Sequence, residues 1–338
     1  MINKLQTNLL NWFDLNQRLL PWRKTKDPYS IWLCEIIMQQ TRVDQGLKYW
    51  EKFLNEFPTL KSLSESEESR VLALWSGLGY YSRARNIHKA AKIISNDLRG
   101  EFPKSSLKLI KIPGIGPYTA AAISSICFDE VIPAIDGNAF RVYTRLFAID
   151  SPIEKKKTIN KINELSLPLI SRKRPGDSNQ AIMDIGSSIC YPKKPKCNYC
   201  PFEENCLSRK YGNQEKYPVK TKPAKLKEVN KFYVILNRKG YLGLVERPKN
   251  GIWGGLWMPL ELDPENWDLA IKNNQIHKNN ISYQKHLLSH RKMNLYFADW
   301  TTDKAPENKN IKWFSIEELK NMALPAPMIK FLREKSYI

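Results

Sequence analysis

The sequence predicts a multi-domain protein in which an all-α domain precedes a smaller α+β domain. Apolar residues recur with helical spacing from residue 1 to about 208, and few strand-like alternations interrupt them. From residue 231 to 338 the period changes to the alternation that is typical of strands. A chain of 338 residues with 42% hydrophobic content is long enough to bury two cores.

The helical domain, residues 1–208, contains several amphipathic segments. Leu5, Leu9 and Phe13 share one helical face, and a second such pattern includes Val71, Leu72 and Trp75. After this domain, residues 209–230 include few apolar residues and many lysines and prolines. This composition predicts a basic linker between the two domains.

The region from about 105 to 128 predicts a helix-hairpin-helix motif. A candidate helix over 105–111 leads into Gly114-Ile115-Gly116, and the small-residue helix that opens at Pro117-Tyr118 follows. Glycines at this place allow positive φ and leave backbone N–H groups uncovered at a helix start, where a phosphate oxygen can bind. We therefore expect Gly114 and Gly116 to contact a DNA backbone.

The charge of the chain also favours a polyanionic partner. It carries 54 basic and 34 acidic residues, a formal net charge of +20. No apolar stretch is long enough to span a bilayer, and the first residues do not resemble a secretory signal. We expect a monomer that binds nucleic acid and no membrane, in a reducing intracellular compartment of cytoplasm or nucleoid.

Four of the six cysteines cluster within residues 190–206, at Cys190, Cys197, Cys200 and Cys206. In an intracellular protein such a cluster indicates a metal centre rather than disulfides. The spacing by itself fits an iron–sulfur cluster or a structural zinc ion. Cys34 and Cys127 lie in apolar helical stretches and are expected to pack in a core.

The C-terminal domain begins with a predicted hairpin, in which residues 231–236 and 241–245 flank a turn at 237–240. A further strand is predicted over residues 293–300. Ser315 followed by Glu318 forms a capping box, which predicts the start of a late helix.

Several segments together resemble the helix-hairpin-helix DNA glycosylases of the endonuclease III superfamily, and within it the adenine DNA glycosylase, or MutY, family. The similarity covers nearly the whole chain: Leu20 to Arg23, Glu35 to Thr41, Gly77 to Asn86, the hairpin with Asp136, the cysteine loop and Gly251 to Trp257. The resemblance implies one [4Fe–4S] cluster on the four cysteines. It also implies base-excision repair of DNA.

The resemblance assigns the chemistry to four residues: Glu35, Asp136, Tyr118 and Asn138. Glu35 lies among apolar residues that favour its protonated form, so it is expected to protonate the departing adenine. Asp136 lies in a polar turn that keeps it ionised, so it is expected to stabilise the oxocarbenium-like sugar. Asp136 is also a candidate N-cap of the helix that follows. Tyr118 and Asn138 match supporting positions.

Tyr118 also distinguishes between subfamilies. Bifunctional relatives carry a lysine at this position for Schiff-base attack, and a phenol cannot form an imine. The sequence therefore predicts a monofunctional glycosylase. Two alternatives remain at this point: a bifunctional pyrimidine glycosylase and lyase, and a non-catalytic iron–sulfur protein that binds damaged DNA.

The resemblance also implies how the damaged pair is read. Gln40 and Tyr80 match the side chains that fill the gap left by an extruded base, with Thr41 and Leu78 near 8-oxoguanine. The C-terminal domain is similar to a Nudix-like module but lacks the glutamate-rich Nudix box, so recognition without hydrolysis is implied. A loop with Ser289 and His290 is expected to contact the lesion, although Leu288 replaces the usual phenylalanine.

Overall fold

The computed structural model describes residues 2–221, 226–288, 291–301, 310–320 and 322–338. The chain divides into two compact units. The first unit comprises residues 1–65 and 86–222, and the second comprises residues 66–85 and 223–338. Within the described residues, no helix combines the length and apolar character that crossing a membrane requires.

The N-terminal part of the chain is helical, as predicted. Its helices are α1 (Ile2–Asn16), α2 (Pro28–Ile37), α3 (Val43–Glu56), α4 (Leu60–Glu65), α5 (Glu68–Leu74), α6 (Ser82–Lys92), α7 (Ser106–Leu109), α8 (Pro117–Cys127), α9 (Gly137–Leu146), α10 (Lys156–Ser166), α11 (Pro175–Ser188) and α12 (Leu207–Lys210).

A core of the first unit forms where α1, α9 and α11 pack together. Leu9 and Phe13 of α1 contribute to it, and Tyr143 and Ile185 lie in the same cluster. Gly186 allows a close approach between α11 and α9, because a Cβ at this position would lie 2.5 Å from the Cβ of Asn138. The start of α9 is therefore held firmly against α11.

The predicted hairpin joins α7 to α8, although α7 spans only four residues and is shorter than the sequence indicated. Gly114 adopts φ +81°, whereas Gly116 has φ −87° and precedes the first residue of α8. A Cβ at Gly114 would lie 2.7 Å from Cβ of Asn86, while nothing lies within 4 Å of a Cβ at Gly116. Gly114 is therefore required by its backbone conformation and by its close packing against Asn86. Gly116 instead leaves the surface at the start of α8 open.

The second unit contains a mixed sheet of seven strands among the described residues: β1 (Lys227–Arg238), β2 (Tyr241–Glu246), β3 (Trp257–Met258), β4 (Leu260–Leu262), β5 (Ser282–Leu287), β6 (Arg291–Thr301) and β7 (Ile311–Phe314). The order β3-β2-β1-β6-β5 forms its main path, with β4 paired to β1 and β7 to β2. The β1–β6 pairing is parallel, and the others are antiparallel.

The predicted hairpin of this unit is confirmed. Arg238 pairs with Tyr241, so Lys239 and Gly240 form a two-residue turn, and both have positive φ, 47° and 82°. Two successive positive φ values match the twist of the flanking strands. The predicted strand over 293–300 is part of β6.

Helices α13 (Pro264–Lys272), α14 (Ile316–Lys320) and α15 (Ala326–Glu334) complete the second unit. The capping box before α14 is confirmed, since Ser315 N donates to Glu318 Oε2 at 2.6 Å and Glu318 N donates to Ser315 Oγ at 3.3 Å. Leu319 of α14 and Phe331 of α15 belong to the buried cluster that includes Leu242 and Phe297 of the sheet.

Residues 66–85 belong to the second unit, although the sequence prediction grouped them with residues 1–208. Tyr81 Oη donates to the carbonyl oxygen of Leu324 at 2.8 Å, and Arg85 Nη1 donates to that of Gly254 at 2.5 Å. The helical period of this segment indicates which face is buried but not which residues cover it. The predicted domain boundaries, including the linker at 209–230, stay a prediction.

Candidate active site

Glu35 lies near the end of α2 in an apolar environment. Asp27 caps this helix by accepting a hydrogen bond from Ser30 N at 2.8 Å, and Pro28 occupies its first turn. The neighbouring side chains of Trp32, Leu33 and Ile36 are buried. Burial raises the pKa of Glu35 to about 7, despite a hydrogen bond that lowers it.

That hydrogen bond comes from Tyr118, in the first turn of α8. Its Oη donates to Glu35 Oε2 at 2.7 Å. Burial and the neighbouring carboxylates Glu35 and Asp136 hold the pKa of Tyr118 well above its usual range, so the phenol remains a donor. The two side chains that the sequence placed in one site are in direct contact.

Asp136 is the N-cap of α9, as predicted. Its Oδ1 accepts a hydrogen bond from Ala139 N at 2.7 Å, and its Oδ2 accepts one from Asn138 Nδ2 at 3.1 Å. Burial raises the pKa of Asp136, while these hydrogen bonds and the charge of Arg141 oppose the rise. The negative charge of Asp136 in turn contributes to the raised pKa of Glu35. The two carboxyl groups therefore belong to one electrostatically coupled site.

Glu35 lines a cavity of about 170 Å³ within the first unit. Trp22, Arg23, Gln180 and Met183 are among the other lining residues. Arg23 forms a bidentate pair with Asp184 at 2.7 and 2.9 Å, and its buried Nε has no hydrogen-bond partner among the described residues. The cavity thus has both apolar and charged lining residues, the latter including Lys26, Asp129, Lys173, Arg174 and Asp177.

Arg141 connects the start of α9 to the cysteine loop. Its Nη2 donates to Asn138 Oδ1 at 2.8 Å and to the carbonyl oxygen of Gly186 at 2.6 Å. Its Nε donates to the carbonyl oxygen of Cys190 at 2.6 Å. These bonds fix the orientation of Asn138, whose amide nitrogen contacts Asp136.

Cys190, Cys197, Cys200 and Cys206 line a common cavity, which apolar residues such as Ile185 and Phe202 enclose. Arg145 Nη1 lies 3.3 Å from Cys190 Sγ, and Gln214 Nε2 lies 3.7 Å from Cys197 Sγ. Burial raises the pKa of Cys200 to about 12, so a thiolate at this position requires a bound cation. Within the described ranges, no three metal-binding side chains are placed to hold a single ion. The four sulfurs therefore surround one cavity, and two of them have a nitrogen donor beside them.

Gln40 and Thr41 follow α2 in the first unit. Gln40 is exposed and has φ +55°, an uncommon conformation for a residue other than glycine. Thr41 Oγ1 donates to the carbonyl oxygen of Gln39 at 3.3 Å. The strained backbone presents the side chain of Gln40 at a turn that begins only a few residues after Glu35.

Leu78 and Tyr80 lie in a strained turn of the second unit. Gly79 and Tyr80 both have positive φ, 69° and 48°, and Trp75 Nε1 donates to the carbonyl oxygen of Gly79 at 2.9 Å. The Tyr80 side chain is 50% exposed. Ser289 and His290, the other residues predicted to contact the lesion, lie outside the described residues.

Comparisons with known proteins identify the family of this chain. The profile of the HhH-GPD superfamily of base excision DNA repair proteins matches residues 33–168, and a NUDIX domain profile matches residues 231–334. An adenine DNA glycosylase of Buchnera aphidicola subsp. Schizaphis graminum is 35% identical to this chain, over 96% of each protein. The chain belongs to the adenine DNA glycosylase family. It is an enzyme of DNA base-excision repair.

Solved structures show the same fold for the first part of this adenine DNA glycosylase. A thermostable thymine-DNA glycosylase is 26% identical, with a TM-score of 0.58 over 62% of this chain and 97% of that one. An endonuclease III–DNA covalent intermediate is 18% identical, with a TM-score of 0.53 over 63% of this chain and 98% of that one. This second likeness supports the fold alone.

Sequence reasoning did not identify every residue of the site in this adenine DNA glycosylase. Gln180 and Met183 line the Glu35 cavity from α11, and no motif pointed to them. Arg141 carried no signal either, although its position one turn after Asn138 on α9 could have suggested the contact. Arg23 belongs to the segment Leu20 to Arg23, on which the family resemblance partly rests, but the sequence assigned no role to it.

Proposed function

We propose that this enzyme hydrolyses the N-glycosidic bond of adenine that is mispaired with 8-oxoguanine or guanine in duplex DNA. The observation that carries the proposal is the coupled pair of carboxyl groups. Glu35 has a pKa raised to about 7 by burial and faces a cavity, while Asp136 is held by hydrogen bonds from Ala139 and Asn138. One group suits proton donation, and the other suits the stabilisation of positive charge.

In the proposed reaction, Glu35 donates its proton to N7 of an extruded adenine. The C1′–N9 bond then breaks, its electron pair stays with the purine, and the Asp136 carboxylate stabilises the cation at C1′ or bonds to it transiently. Water then adds its oxygen to C1′ from the face that the purine left, any C1′–O bond to Asp136 breaks with its electron pair returning to the carboxylate, and the water proton passes to Glu35. Hydrolysis therefore proceeds with retention. Tyr118 and Asn138 orient the two carboxyl groups through their hydrogen bonds.

The cavity beside Glu35 supports adenine as the departing base. Its wall includes the indole of Trp22 and the thioether of Met183, which suit a flat purine. Gln180 offers both a hydrogen-bond donor and an acceptor to such a base.

A glycosylase without lyase activity is also part of the proposal. By resemblance, relatives with lyase activity have a lysine at the position of Tyr118. The nearby Lys111 is exposed and lies between α7 and the glycines of the hairpin. Borohydride should therefore trap little covalent enzyme–DNA complex. Trapping as efficient as in a lyase of the superfamily would instead support the bifunctional alternative.

We propose that Cys190, Cys197, Cys200 and Cys206 hold one [4Fe–4S] cluster. The cavity that the four cysteines share supports a common metal group, and the resemblance to the endonuclease III superfamily favours a cluster over zinc. When bound, the cluster stabilises the loop and presents Lys193, Lys194 and Lys196 for DNA backbone contacts. Iron and sulfide analysis, with an absorption band near about 400 nm, tests this assignment.

Recognition of the mispair is proposed for residues of both units. Gln40 and Tyr80 are proposed to fill the gap left by adenine, with Thr41 and Leu78 near 8-oxoguanine. Gly114 and Gly116 are proposed to contact a phosphate, and Ser289 and His290 to contact the lesion. We further propose that the enzyme acts as a monomer on DNA in the nucleoid.

The experiment that tests the proposed function is single-turnover excision on duplexes containing adenine opposite 8-oxoguanine. Glu35→Gln should abolish excision and retain duplex binding, because the amide keeps the size of the side chain and has no proton to donate. Glu65→Gln is the matched control, since Glu65 is exposed, pairs with Lys61 at 3.7 Å and does not line the cavity. Full activity of Glu35→Gln would disprove the assignment of the acid.

A further inference from the structure

A thioether lies against the hydrogen bond that Tyr118 makes with Glu35. Met183 Sδ lies 3.5 Å from Tyr118 Oη, the same atom that donates to Glu35 Oε2 at 2.7 Å. A phenol has a single proton to donate, and a thioether is a weaker acceptor than a carboxyl oxygen. Glu35 therefore keeps the hydrogen bond, and Met183 is the neighbour placed to compete for it.

Met183 is more accessible than the methionines that lie in the core of the second unit. Three of those methionines are at most 2% exposed: Met258, Met293 and Met328. Met183 is half-buried and lines the Glu35 cavity, whose lining also includes the exposed residues Lys26 and Asp129. Because hydrogen peroxide is a small neutral molecule, it can reach a side chain of this cavity from the surface.

Oxidation by a peroxide would convert this weak acceptor into a strong one. A lone pair of Met183 Sδ attacks one oxygen of hydrogen peroxide, so that the S–O bond forms and the O–O bond breaks. The departing hydroxide takes the proton of the transferred oxygen and leaves as water. The thioether thus gives up an electron pair to the peroxide and becomes a polar sulfoxide.

The sulfoxide oxygen would lie within reach of the Tyr118 hydroxyl, because it is bonded directly to the sulfur that contacts this hydroxyl. Transfer of the Tyr118 hydrogen bond to this oxygen leaves the Glu35 carboxyl group without a contact that orients it. Because the Tyr118 hydrogen bond lowers the pKa of Glu35, its loss raises that pKa and makes the carboxyl group a weaker acid. Both changes oppose proton donation to a base in the cavity.

We propose that Met183 is a site of oxidative modification, at which hydrogen peroxide forms a sulfoxide that takes the Tyr118 hydrogen bond from Glu35 and slows excision. The modification and its effect on the hydrogen bond are independent of the reaction that the enzyme catalyses. The effect on excision rests on the proposed function.

The first test is exposure of the full-length protein to hydrogen peroxide, which catalase then removes before mass spectrometry of proteolytic peptides. The Met183 peptide should gain an oxygen atom before the peptides of Met258, Met293 and Met328 do. Single-turnover excision of adenine opposite 8-oxoguanine should fall at least about tenfold as Met183 is oxidised. Excision that persists after complete oxidation of Met183, or a Met183 that stays unmodified while the core methionines react, would overturn the proposal.

Two leucine variants isolate the role of this sulfur, each compared with its own untreated sample. Met183→Leu removes the sulfur with little change in volume, so peroxide should cause no loss of the excision rate that this variant has. Met38→Leu is the matched control and should lose activity as the wild type does, because Met38 is another half-buried methionine of the first unit but does not line the cavity. Damage to the cysteines would affect all three proteins alike, so equal losses in Met183→Leu and wild type would contradict the proposal. Thermal melts verify that both variants fold.

A second readout does not require excision. NMR of isotope-labelled glutamate follows the titration of the Glu35 carboxyl group, whose signal is assigned by its absence in Glu35→Gln. Oxidation should raise this pKa in the wild type and leave it unchanged in Met183→Leu and in Tyr118→Phe, which lacks the donor. An equal rise in Tyr118→Phe would show that the hydrogen bond is not involved. Untreated protein that fails to excise adenine would refute the proposed function, whereas this titration would still decide whether Met183 acts on Glu35.

Discussion

At the scale of single residues, the same functional group lies in two different surroundings. Glu35 lies among buried apolar side chains and receives one hydrogen bond, from Tyr118. Asp136 receives hydrogen bonds from Ala139 and Asn138 at the start of a helix. Desolvation raises the pKa of both groups, but hydrogen bonds from Ala139 and Asn138 and the charge of Arg141 oppose the rise at Asp136. The proposed division between acid and anion rests on this difference.

The pH dependence of excision should report the titration of Glu35. The acid must be protonated, so the single-turnover rate should be highest below its pKa, about 7, and fall at higher pH. The Tyr118 hydrogen bond lowers this pKa, so Tyr118→Phe should move the falling limb to higher pH even if the rate itself decreases. Tyr143→Phe is the control, because the buried hydroxyl of Tyr143 has no partner among the described residues. An unchanged limb in Tyr118→Phe would contradict this account.

Asp136 combines capping with charge, and two substitutions separate these roles. Asp136→Asn keeps an acceptor at the N-cap, so thermal stability should change little while excision falls about 10²–10³-fold. Asp136→Ala should in addition destabilise the protein by about 1 kcal/mol. Asp263→Asn in α13 is the matched control, because Asp263 caps that helix by accepting from Asn266 N at 2.8 Å. Comparable excision by the Asn variant and wild type would show that charge at position 136 is dispensable.

At the scale of elements, the packing of α9 on α11 positions Asp136 and Asn138, the residues of α9 that we propose take part in catalysis. Asp136 and Asn138 stand at the start of α9, and Gly186 of α11 lies directly against Asn138. Arg141 further links Asn138 to the chain at Gly186 and Cys190. The site is therefore built on two rigid helices rather than on loops, which favours precise placement of the carboxylate.

Enlarging the residue at this helix contact should damage stability and excision together. A Cβ in Gly186→Ala would meet Asn138 at 2.5 Å, so we expect a loss of about 1–3 kcal/mol and a lower single-turnover rate. Gly137→Ala is the control for stability, because no atom lies within 4 Å of a Cβ at that position. Chemical denaturation of the two variants measures the difference. Equal stability would show that α9 can shift without cost.

The sequence predicted elements well where one local signal was strong. The hairpin with Lys239-Gly240, the capping box at Ser315 and the helical region were confirmed. It overestimated α7, because packing rather than helix propensity decides where a short helix ends. We also expected a positive φ at both glycines of the helix-hairpin-helix, whereas only Gly114 has one.

At the scale of the whole molecule, the net charge of +20 gives the protein a general attraction for DNA. Part of that charge is concentrated beside the cysteine loop, where Lys193, Lys194 and Lys196 are exposed. Lysines near other parts of the surface pair with carboxylates, as Lys61 does with Glu65 at 3.7 Å. We therefore expect individual lysines to contribute unequally to DNA binding.

Replacing Lys193, Lys194 and Lys196 by glutamine should weaken duplex binding and make it less sensitive to salt. Each lost phosphate contact should reduce the slope of log affinity against log salt by about 1, so the triple variant should lose about 3. Lys61→Gln combined with Lys330→Gln is the control, because both lysines pair with a carboxylate one helical turn away. An identical slope in the triple variant and wild type would place the phosphate contacts elsewhere.

The sequence by itself determined the class of each domain, the helix-hairpin-helix, the four-cysteine cluster and the two carboxyl groups, because periodicity and motif spacing are local properties of a chain. Only the tertiary structure decided which groups touch them: the Tyr118–Glu35 hydrogen bond, the Arg23 and Gln180 lining of the cavity, and the Arg141 link to Cys190. It also decided that residues 66–85 belong with the sheet. The physical reason is that burial and hydrogen-bond partners arise from packing between distant segments, which local spacing does not encode.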